Sequence, residues 1–336
     1  MNKLVSIIIV NYNGAEYIEE CIESIIHQTY SNWEVIVLDN NSKDRSVDII
    51  RKYPFVQLIE SAENLGFARG NNDAIKHSNG EYIALLNNDA RADRDWLQRL
   101  VDQLEQNEAL GSCGCKIISH YEPEVMDSAG LLVNVSGMSR GRGRNENIRK
   151  YEKTELILIP SGCAAMYRKS ALDEVGLFDE DFFCYCEDTD LGFRLQLAGW
   201  KCLYVADAVV YHRYSASSGK YSLFKTYLVE RNHYWFVLKN YPLSLILLNP
   251  LYTLRLYFYQ AFSMLKKQGA TSELISNTSK KDMIVTLLKA HRDVWGKMGV
   301  MLKKRSNINA IKKVDNKQIK EWMKRYNISL TDLFNS

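Results

Sequence analysis

The N-terminal part of the chain alternates short apolar runs with segments whose apolar residues recur at helical spacing. Leu4 to Val10 is a continuous apolar run rich in β-branched residues, which is typical of a strand buried on both faces of a parallel sheet. Asn11 to Gly14 interrupts this run, Glu16 to His27 has helical spacing, and Trp33 to Leu38 is a second apolar run. These segments predict a β-α-β unit.

The same alternation continues as far as residue 106. Further helices are predicted at 46–52, 66–77 and 96–106, with strands at 56–59 and 82–86. Strands that alternate with helices are typical of a doubly wound, mostly parallel α/β sheet. Ligands of such sheets bind beyond the carboxyl ends of the strands, so polar residues that directly follow a strand are the candidates for a site.

The pattern weakens after residue 106. Residues 111–153 are predicted to form a loop or irregular strand region, in which the Gly- and Arg-rich run 139–144 is expected to be an exposed basic patch. Strands at 156–159, 202–205 and 208–211, a turn at 161–165, and helices at 169–175 and 189–198 complete the core. We predict a catalytic domain at 1–240 and a helical, basic C-terminal extension at 241–336.

Composition agrees with a globular core and an appended segment. Apolar residues make up 46% and charged residues 25% of the chain, which excludes a disordered or fibrous class. Seven cysteines are an odd number, and the N-terminus has no small-residue cleavage site before its first strand pattern. We therefore expect a reducing, cytoplasmic location.

The basic charge is concentrated near the C-terminus. From Lys266 to Arg325 there are 16 Lys and Arg against 5 Asp and Glu, a net charge of +11, whereas the remainder carries −8. Leu243 to Leu248 is strongly apolar, but Asn249 and Pro250 interrupt it before the roughly 20 apolar residues of a membrane span. Two interpretations stay open: peripheral attachment to anionic lipid at the inner face of the cell membrane, and a helical cap followed by a solvated tail.

Two carboxylates follow buried strands at the edge where a ligand is expected. Asp39 ends the run 35–39, where it can accept a hydrogen bond from a pyrimidine N–H or cap the following turn. Asp89 leaves a buried strand through Asn87 and Asn88, and a carboxylate there is costly unless it meets a cation or donors. Mg²⁺ or Mn²⁺ takes one or two protein carboxylates plus substrate phosphates, so Asp89 is a candidate metal ligand.

A second candidate group lies where an aromatic run gives way to a helix. The helix dipole accounts for one or two of Glu187, Asp188 and Asp190, but three acids beside apolar rings favour the raised pKa of a general base. His212 follows the last predicted strand and is either a surface residue or a ligand of the metal or the diphosphate. The small-residue stretch 215–219 is expected to fold over the donor.

In their order along the chain these segments resemble glycosyltransferase family 2, and within it the rhamnosyltransferase-like branch. The resemblance covers about residues 4–240. It rests on Val5–Gly14, Val37–Ser42, Asn64–Asn72, Leu86–Asp89, Gly162–Met166, Phe178–Glu180, Glu187–Leu191 and His212. It implies a GT-A fold, a nucleoside-diphosphate sugar donor, Mg²⁺ or Mn²⁺, and inversion at the anomeric carbon.

The resemblance also implies roles for single residues. Asp188 is expected to be the catalytic base, with Glu187 and Asp190 on the acceptor side, and Asp89 and His212 are expected to hold the metal. The residues expected to bind the donor are Asn11, Asn13, Asp39, Asn41, Asn64, Arg69, Asn72, Asn88 and Arg231. Asn87 stands where a full D-x-D motif has its first acid, so we expect metal affinity to depend on bound nucleotide.

The sequence therefore predicts an inverting, metal-dependent glycosyltransferase. It would move a sugar, with rhamnose from dTDP-rhamnose favoured, to a hydroxyl of a glycan or lipid-linked acceptor in cell-surface polysaccharide synthesis. A dinucleotide oxidoreductase would carry G-x-G-x-x-G after its first strand, where this chain has Asn11-Tyr-Asn-Gly14. A non-catalytic nucleotide-binding or scaffold protein on the same fold stays open, and no nucleic-acid partner is expected because the Lys residues form no recognition motif.

Overall fold

The computed structural model describes residues 2–213, 222–265 and 279–334. Its strands are β1 (Val5–Asn11), β2 (Trp33–Asp39), β3 (Val56–Glu60), β4 (Tyr82–Leu86), β5 (Ala90–Ala92), β6 (Leu110–Ser119), β7 (Met126–Ser128), β8 (Leu131–Val133), β9 (Ser139–Gly141), β10 (Glu155–Ile157), β11 (Ala164–Arg168) and β12 (Lys201–His212). Its helices are α1 (Ile18–Ile26), α2 (Ser46–Ile50), α3 (Gly66–Ile75), α4 (Trp96–Gln106), α5 (Lys169–Val175), α6 (Glu187–Leu197), α7 (Leu223–Asn240), α8 (Leu243–Leu265), α9 (Lys280–Gly296), α10 (Met298–Ile311), α11 (Asn316–Arg325) and α12 (Leu330–Phe334), with 3₁₀ helices at Ile148–Tyr151 and Glu180–Phe182.

The chain divides into two compact units. Within the described residues, the first contains 2–131, 141–196 and 200–213, and the second contains 132–140, 197–199, 222–265 and 279–334. By compactness α7 therefore belongs with the later helices. The functional boundary at residue 240 stays a prediction.

The first unit is built on a ten-stranded mixed sheet, which confirms the predicted α/β class. Its order is β10-β12-β6-β11-β4-β1-β2-β3, with β5 paired to β12 and β7 paired to β6. β1 is parallel to β2 and β4, and β2 is parallel to β3, because α1, α2 and α3 return the chain between them. β11 runs antiparallel between β4 and β6, so its amino end lies at the edge where β4 ends.

The hydrophobic core of the first unit is formed largely by apolar residues of the central strands and by two helices that pack on them. In β1 and β2 side chains on both faces are buried, as the continuous apolar runs predicted. Ile18, Cys21, Ile22 and Ile25 form the buried stripe of α1, and α4 buries Trp96, Leu97, Leu100, Val101 and Leu104. Each such fully buried side chain contributes roughly 1.5–3 kcal/mol of apolar burial.

The prediction of an irregular region at 111–153 is wrong for its first part. β6 is a ten-residue central strand, and its small residues are there because neighbours approach closely. A Cβ at Gly111 would lie 2.8 Å from Trp200 Cβ, and one at Gly114 would lie 3.3 Å from Pro160 Cβ. The predicted turn at 161–165 likewise ends inside a strand, since Ala164 begins β11.

The prediction of an exposed basic patch at 139–144 is also wrong. The side chains of Arg142 and Arg144 are each only 18% exposed. Arg142 Nη1 lies 2.7 Å from Glu155 Oε1, and its guanidinium lies over the rings of Tyr151 and Tyr204. Arg142 and Arg144 therefore neutralise carboxylates of the first unit, those of Glu155 and Asp127 respectively.

The second unit is helical. α9 and α10 both pack on α7. Arg305 of α10 donates hydrogen bonds to the carbonyl oxygens of Leu238 and Tyr241, at 3.1 and 2.6 Å, and so satisfies the C-terminal end of α7. In the part of the chain that the structure describes, no helix has the length and apolar character needed to cross a membrane.

Candidate active site

The predicted strand-end residues meet at one edge of the sheet. β1 ends at Asn11 and β2 at Asp39, and these two residues are aligned in the parallel register. β4 leads into the loop that carries Asp89. Because β11 is antiparallel, the residues before it lie at the same edge, and Asn87 N donates to Cys163 O at 2.8 Å.

A buried amide and carboxylate network joins the ends of β1, β2 and β4. Asn88 Nδ2 donates to Asn11 Oδ1 at 2.9 Å, and Asn11 Nδ2 donates to Asp39 Oδ1 at 2.7 Å. Asp39 also accepts from the Ser42 hydroxyl at 2.6 Å and from Ser42 N at 2.9 Å. The bond from Ser42 N is the turn-capping contact that the sequence left open, and it orients the Asp39 carboxylate.

Gly14 is required by this network, although sequence reasoning missed it. A Cβ at residue 14 would lie 2.3 Å from both Asn11 Oδ1 and Asn88 Nδ2, the two atoms that form the bond between them. Its carbonyl oxygen also accepts from Ile18 N at 2.9 Å at the start of α1. Only a residue without a side chain fits here.

Asp89 and His212 face one another in a second buried cluster. Asp89 is 6% exposed and His212 is 7% exposed, so the interpretation of His212 as a surface residue is wrong. Asp89 Oδ1 accepts no hydrogen bond and lies 3.3 Å from His212 Nε2. The pairing of β5 with β12 sets this approach, because His212 is aligned with Ala90.

Asp127 holds the other side of the His212 ring and was not among the predicted site residues. His212 Nδ1 lies 2.5 Å from Asp127 Oδ2, and Asp127 Oδ1 accepts from Arg144 Nη1 at 2.9 Å. A carboxylate on Nδ1 fixes the tautomer of the ring and leaves Nε2 to face Asp89. Burial lowers the pKa of His212, but the neighbouring Cys163, Asp127 and Asp89 outweigh this effect and raise that pKa well above its ordinary value. A cation that binds at Nε2 would therefore have to displace the proton there.

These residues fit a divalent cation that is shared with a substrate. The buried, unsatisfied Asp89 Oδ1 and the Nε2 of His212 supply one oxygen and one nitrogen. No group of three or more His, Cys, Asp and Glu side chains among residues 2–213, 222–265 and 279–334 would hold a metal by itself. Mg²⁺ and Mn²⁺ commonly take their remaining ligands from phosphates and water.

Among the three acids at the start of α6, Asp188 is the one that is partly exposed. Its Oδ2 accepts from Gly162 N at 3.0 Å and its Oδ1 from Thr189 N at 2.7 Å. Burial raises the pKa of Asp188 above its ordinary value in spite of these hydrogen bonds. A Cβ at Gly162 would lie 3.1 Å from Asp188 Cβ, so glycine permits this approach.

The other two acids are buried. Burial, with the charge of Asp188 as a smaller cause, raises the pKa of Glu187 well above its ordinary value, and its Oε2 accepts no hydrogen bond. Asp190 is fully buried and lies 2.9 Å from Arg194 Nε. Arg194 in turn donates to the carbonyl oxygens of residues 175–177, so Asp190 holds α6 to that loop.

The loop that leads into α6 has an unusual backbone. Phe183 has φ 65° and ψ −65°, with Cys184 N donating to Phe182 O at 2.8 Å, which is the geometry of a rare γ-turn. Tyr185 and Cys186 also have positive φ, at 69° and 67°. Such conformations cost of order 1–3 kcal/mol each and persist where neighbours hold them.

α3 is the neighbour that holds this loop. Ala68 N donates to Phe183 O at 3.0 Å, and a Cβ at Gly66 would lie 2.6 Å from Phe183. Asn72 donates to Phe178 O at 2.8 Å and accepts from Phe178 N at 3.0 Å. The segment 64–72 therefore joins the sheet edge to the loop that precedes Asp188.

The remaining predicted donor residues are distributed more widely. Asn64 Oδ1 accepts from Gly66 N at 2.9 Å. Arg69 lines a pocket of about 550 Å³ beside β3 and α3, and Asp39, Asp89 and Asp188 are not among the residues that line this pocket. Asn13 and Asn41, with φ 49° and 63°, shape the loops after β1 and β2. Asn13 Oδ1 accepts from Lys43 N at 2.8 Å and Asn41 Nδ2 donates to Ala62 O at 3.0 Å.

Arg231 lies on α7 in the second unit. Its guanidinium lies 4.2 Å from the centre of the Trp235 ring and donates to Asn232 Oδ1 at 2.9 Å. The predicted loop at 215–219 lies outside the described residues. The roles assigned to Arg231 and to this loop stay predictions.

Comparison with known proteins gives both a family and relatives. The family model described as Glycosyl transferase family 2 matches residues 6–176, about half of the chain. An N-acetylglucosaminyl-diphospho-decaprenol L-rhamnosyltransferase of Mycobacterium tuberculosis is 27% identical over 244 residues, which cover 66% of this chain and 79% of that protein.

Two solved structures share the fold at low sequence identity. GalNAc-T7 with UDP, GalNAc and Mn²⁺ has a TM-score of 0.58 and 16% identity, over 70% of this chain and 47% of that one. The mannosyltransferase PcManGT from Pyrobaculum calidifontis, in complex with GDP-Man and Mn²⁺, has a TM-score of 0.54 and 18% identity, over 93% of this chain and 86% of that one.

Proposed function

The chain belongs to glycosyl transferase family 2 and has the GT-A fold, and from that premise we propose that it transfers a sugar from a nucleoside-diphosphate donor with inversion at the anomeric carbon. The observation that carries the proposal is that Asp39, Asp89 and Asp188 belong to one edge of the sheet in three different settings. Asp39 is part of an amide network, Asp89 faces His212, and Asp188 is partly exposed with a raised pKa. These settings suit three different roles: Asp39 for donor binding, Asp89 for neutralising the charge of the diphosphate through a metal ion, and Asp188 for removing a proton.

Asp188 is the proposed general base. It removes the proton from an acceptor hydroxyl as that oxygen forms its bond to the anomeric carbon, while the bond from that carbon to the donor diphosphate breaks and the diphosphate leaves with the electron pair. A raised pKa makes the carboxylate a stronger acceptor for this proton. The N–H groups of Gly162 and Thr189 fix its orientation, and no covalent enzyme intermediate forms.

Asp89 and His212 are the proposed protein ligands of Mg²⁺ or Mn²⁺. When bound, such an ion neutralises the charge that develops on a diphosphate leaving group. Asp127 orients the His212 ring through its contact with Nδ1, so that Nε2 faces Asp89. With only one carboxylate and one imidazole, the site is expected to bind metal tightly only when a nucleotide diphosphate adds its oxygens.

Asp39 is the proposed partner of a pyrimidine base. Asn11 and Asn88 hold its carboxylate in place, and Asn13 and Asn41 shape the loops beside it. The name of the mycobacterial relative supports rhamnose as the sugar and a diphosphate-linked lipid acceptor. dTDP-rhamnose is the donor that we propose. Its place of action would then be the inner face of the cell membrane, reached from the cytoplasm.

The test is binding and turnover of a panel of nucleotide sugars with and without Mn²⁺. The panel contains dTDP-rhamnose and UDP- and GDP-sugars, and the proteins are the native chain, Asp188→Asn and a control, Asp173→Asn, on an exposed position of α5. We expect one donor to be turned over with Mn²⁺, and Asp188→Asn to lower kcat by about 10²–10⁴-fold with donor affinity kept.

Three results would contradict the proposal. A native chain that binds no donor under any metal condition is not a transferase of this kind. A trapped glycosyl-enzyme would exclude the single displacement. A donor that binds without turnover in the presence of acceptor glycans would favour the scaffold alternative.

A further inference from the structure

Helix α8 presents an apolar stripe to solvent. Leu243, Leu247, Leu251, Leu254 and Phe258 are spaced by three or four residues, which puts them on one side of the helix. Their exposure lies between 51% and 71%. The opposite side of the helix is buried in the second unit through Leu245, Asn249, Thr253 and Leu256.

Helix α9 carries a second exposed stripe of mixed character. Ile284, Val285, Leu288 and Trp295 are between 54% and 68% exposed. Lys281 and Arg292 are also exposed, and both fall in register with Val285, Leu288 and Trp295 along this side. A helix side that alternates aliphatic, aromatic and cationic residues is typical of a membrane interface.

The two stripes lie on neighbouring helices. Tyr257 Oη of α8 lies 3.0 Å from His291 Nε2 of α9, and these residues immediately precede Phe258 and Arg292 of the two stripes. We name the two stripes together the apolar face. Its members are Leu243, Leu247, Leu251, Leu254, Phe258, Ile284, Val285, Leu288 and Trp295.

Charge indicates what covers the apolar face. α8 contains no Asp or Glu and carries Arg255 beside its stripe. Residues 279–334 contain 14 Lys and Arg against 5 Asp and Glu, a net charge of +9. A second copy of the chain seated on this face would bring like charges together, whereas an anionic surface would neutralise them.

We propose that the apolar face docks on the surface of an anionic lipid bilayer, with α8 lying in the plane of the interface. The helix is about 34 Å long at 1.5 Å per residue, but Pro250 and Arg255 lie within it, so it suits the interface and not the hydrocarbon core. Phe258 and Trp295 are the aromatic anchors, and Arg255 and Lys281 contact lipid phosphates. The proposal names a partner for the second unit and does not depend on the donor or on the reaction.

The first test removes apolar contacts from the face of the full-length chain. The assay is flotation with vesicles of phosphatidylcholine alone and of phosphatidylcholine with phosphatidylglycerol. Leu251→Glu with Phe258→Glu should lower partitioning on the order of a hundredfold or more, since two large apolar side chains leave the interface. The matched control is Leu302→Glu on α10, which is 47% exposed in the same unit and should partition like the native chain.

The second test separates the face from net charge. Arg255→Glu with Lys281→Glu should lower binding to the anionic vesicles by more than about tenfold, at roughly 1 kcal/mol for each basic charge near the surface. Lys317→Glu with Lys320→Glu makes the same charge change on exposed positions of α11 and should have a smaller effect.

Several outcomes would overturn the proposal. These are absence of native binding to both kinds of vesicle, equal binding by the Leu251/Phe258 variant, or a native dimer that this variant converts to a monomer without any vesicle binding. Donor hydrolysis in solution is measured on every variant. Native hydrolysis with lost flotation supports the docking surface, and lost hydrolysis with kept flotation concerns the proposed function alone.

Discussion

Gly14 is the single residue whose replacement should most directly disturb donor binding. In Gly14→Ala the new Cβ would lie 2.3 Å from both partners of the Asn88–Asn11 hydrogen bond, so one of these amides has to move. We expect nucleotide affinity to fall more than about tenfold and stability to fall by about 1–3 kcal/mol, as for other overpacked sites. Calorimetric titration with the donor nucleotide and urea unfolding measure the two effects.

The matched control for this change is Gly299→Ala. A Cβ at residue 299 meets nothing within 4 Å, and the residue lies inside α10. Native affinity and an increase in stability of up to about 1 kcal/mol are expected for it. Native affinity in Gly14→Ala itself would show that the amide network does not shape the donor site.

Asp127 gives the second prediction for a single residue. Asp127→Asn keeps the size of the side chain but removes the charge that faces His212 Nδ1 and Arg144. Mn²⁺ affinity in the presence of a nucleoside diphosphate should fall about 10–100-fold, as for other groups that orient a metal ligand. Electron paramagnetic resonance of free Mn²⁺ measures it, and nitrogen NMR of His212 should show a larger share of the other tautomer.

Asp173→Asn on α5 is the control for Asp127→Asn and should bind Mn²⁺ like the native chain. An unchanged Mn²⁺ affinity together with an unchanged His212 tautomer in Asp127→Asn would limit Asp127 to a structural contact with Arg144. Activity alone would not distinguish these roles.

The residues of the edge differ in how far a sequence could identify them. Asp39 and Asp89 could be identified because Asp39 ends a buried strand and Asp89 lies three residues after another, where ligands of such sheets bind. Asp127 could not, because its partner His212 is 85 residues away and its own segment has no periodicity. Gly14 likewise acquires its importance from a hydrogen bond between two other segments.

At the scale of elements, α3 holds the loop before α6 in its unusual conformation. In Gly66→Ala a φ of 76° and a Cβ 2.6 Å from Phe183 oppose the native backbone, at roughly 1–2 kcal/mol for the left-handed conformation alone. The loop that orients Asp188 should move, so kcat should fall while donor affinity is kept. Steady-state kinetics and nucleotide titration separate the two.

The same two measurements on Gly299→Ala control for a general effect of replacing glycine. A fall in donor affinity with kcat unchanged would instead place Gly66 with the donor residues, as the sequence predicted for its neighbours Asn64 and Asn72. Equal kinetics to the native chain would show that the positive-φ loop is not held by α3.

Glu230 of α7 contacts residues of α8 and α9 and so links three helices of the second unit. Its carboxylate accepts a hydrogen bond from Tyr257, and its oxygens lie 3.4 Å from His291 Nε2 and 3.8 Å from His233 Nε2. Burial raises the pKa of Glu230, but its interactions with the neighbouring His233 and His291 outweigh this effect and hold that pKa well below its ordinary value. Its stabilisation is therefore complete above the unfolded pKa near 4.5 and is lost as the pH falls toward the folded value.

Glu230→Gln should lower the free energy of unfolding at neutral pH by about 3 kcal/mol. The difference from the native chain should stay constant down to about pH 5 and shrink below it, because protonation removes the same charge from the native chain. Urea unfolding across this range measures it, with Glu321→Gln on an exposed position of α11 as the control. A difference that does not depend on pH would exclude the ionised carboxylate as its source.

Element prediction succeeded where strands carry large apolar residues and failed where they carry small ones. β1, β2 and β4 are continuous apolar runs and were predicted within a residue or so. β6 and the start of β11 are made largely of Gly, Ala, Ser and Cys because neighbouring chains approach closely, and their pattern has no apolar periodicity. Local propensity gives no information about such close approaches.

At the scale of the whole molecule, the order of the chain does not follow its division into units. Residues 132–140 lie in the middle of the predicted catalytic domain but belong by compactness to the second unit. Val133 N donates to Tyr326 O at 3.0 Å and Asn134 Nδ2 donates to Ile328 O at 2.8 Å. A linear division of the sequence could not have anticipated hydrogen bonds across almost 200 residues.

This arrangement makes truncation a test of the boundary predicted at residue 240. A chain ending at Asn240 keeps α7 but loses α9 and α10, which pack on it, together with the hydrogen bonds of Arg305 and the partners of residues 133 and 134. Trp235 and Phe236, buried in the full chain, would be exposed, so we expect aggregation or loss of cooperative unfolding. Size-exclusion chromatography and thermal unfolding beside the full-length chain measure this, and a monodisperse fragment with native cooperativity would instead establish 1–240 as an independent domain.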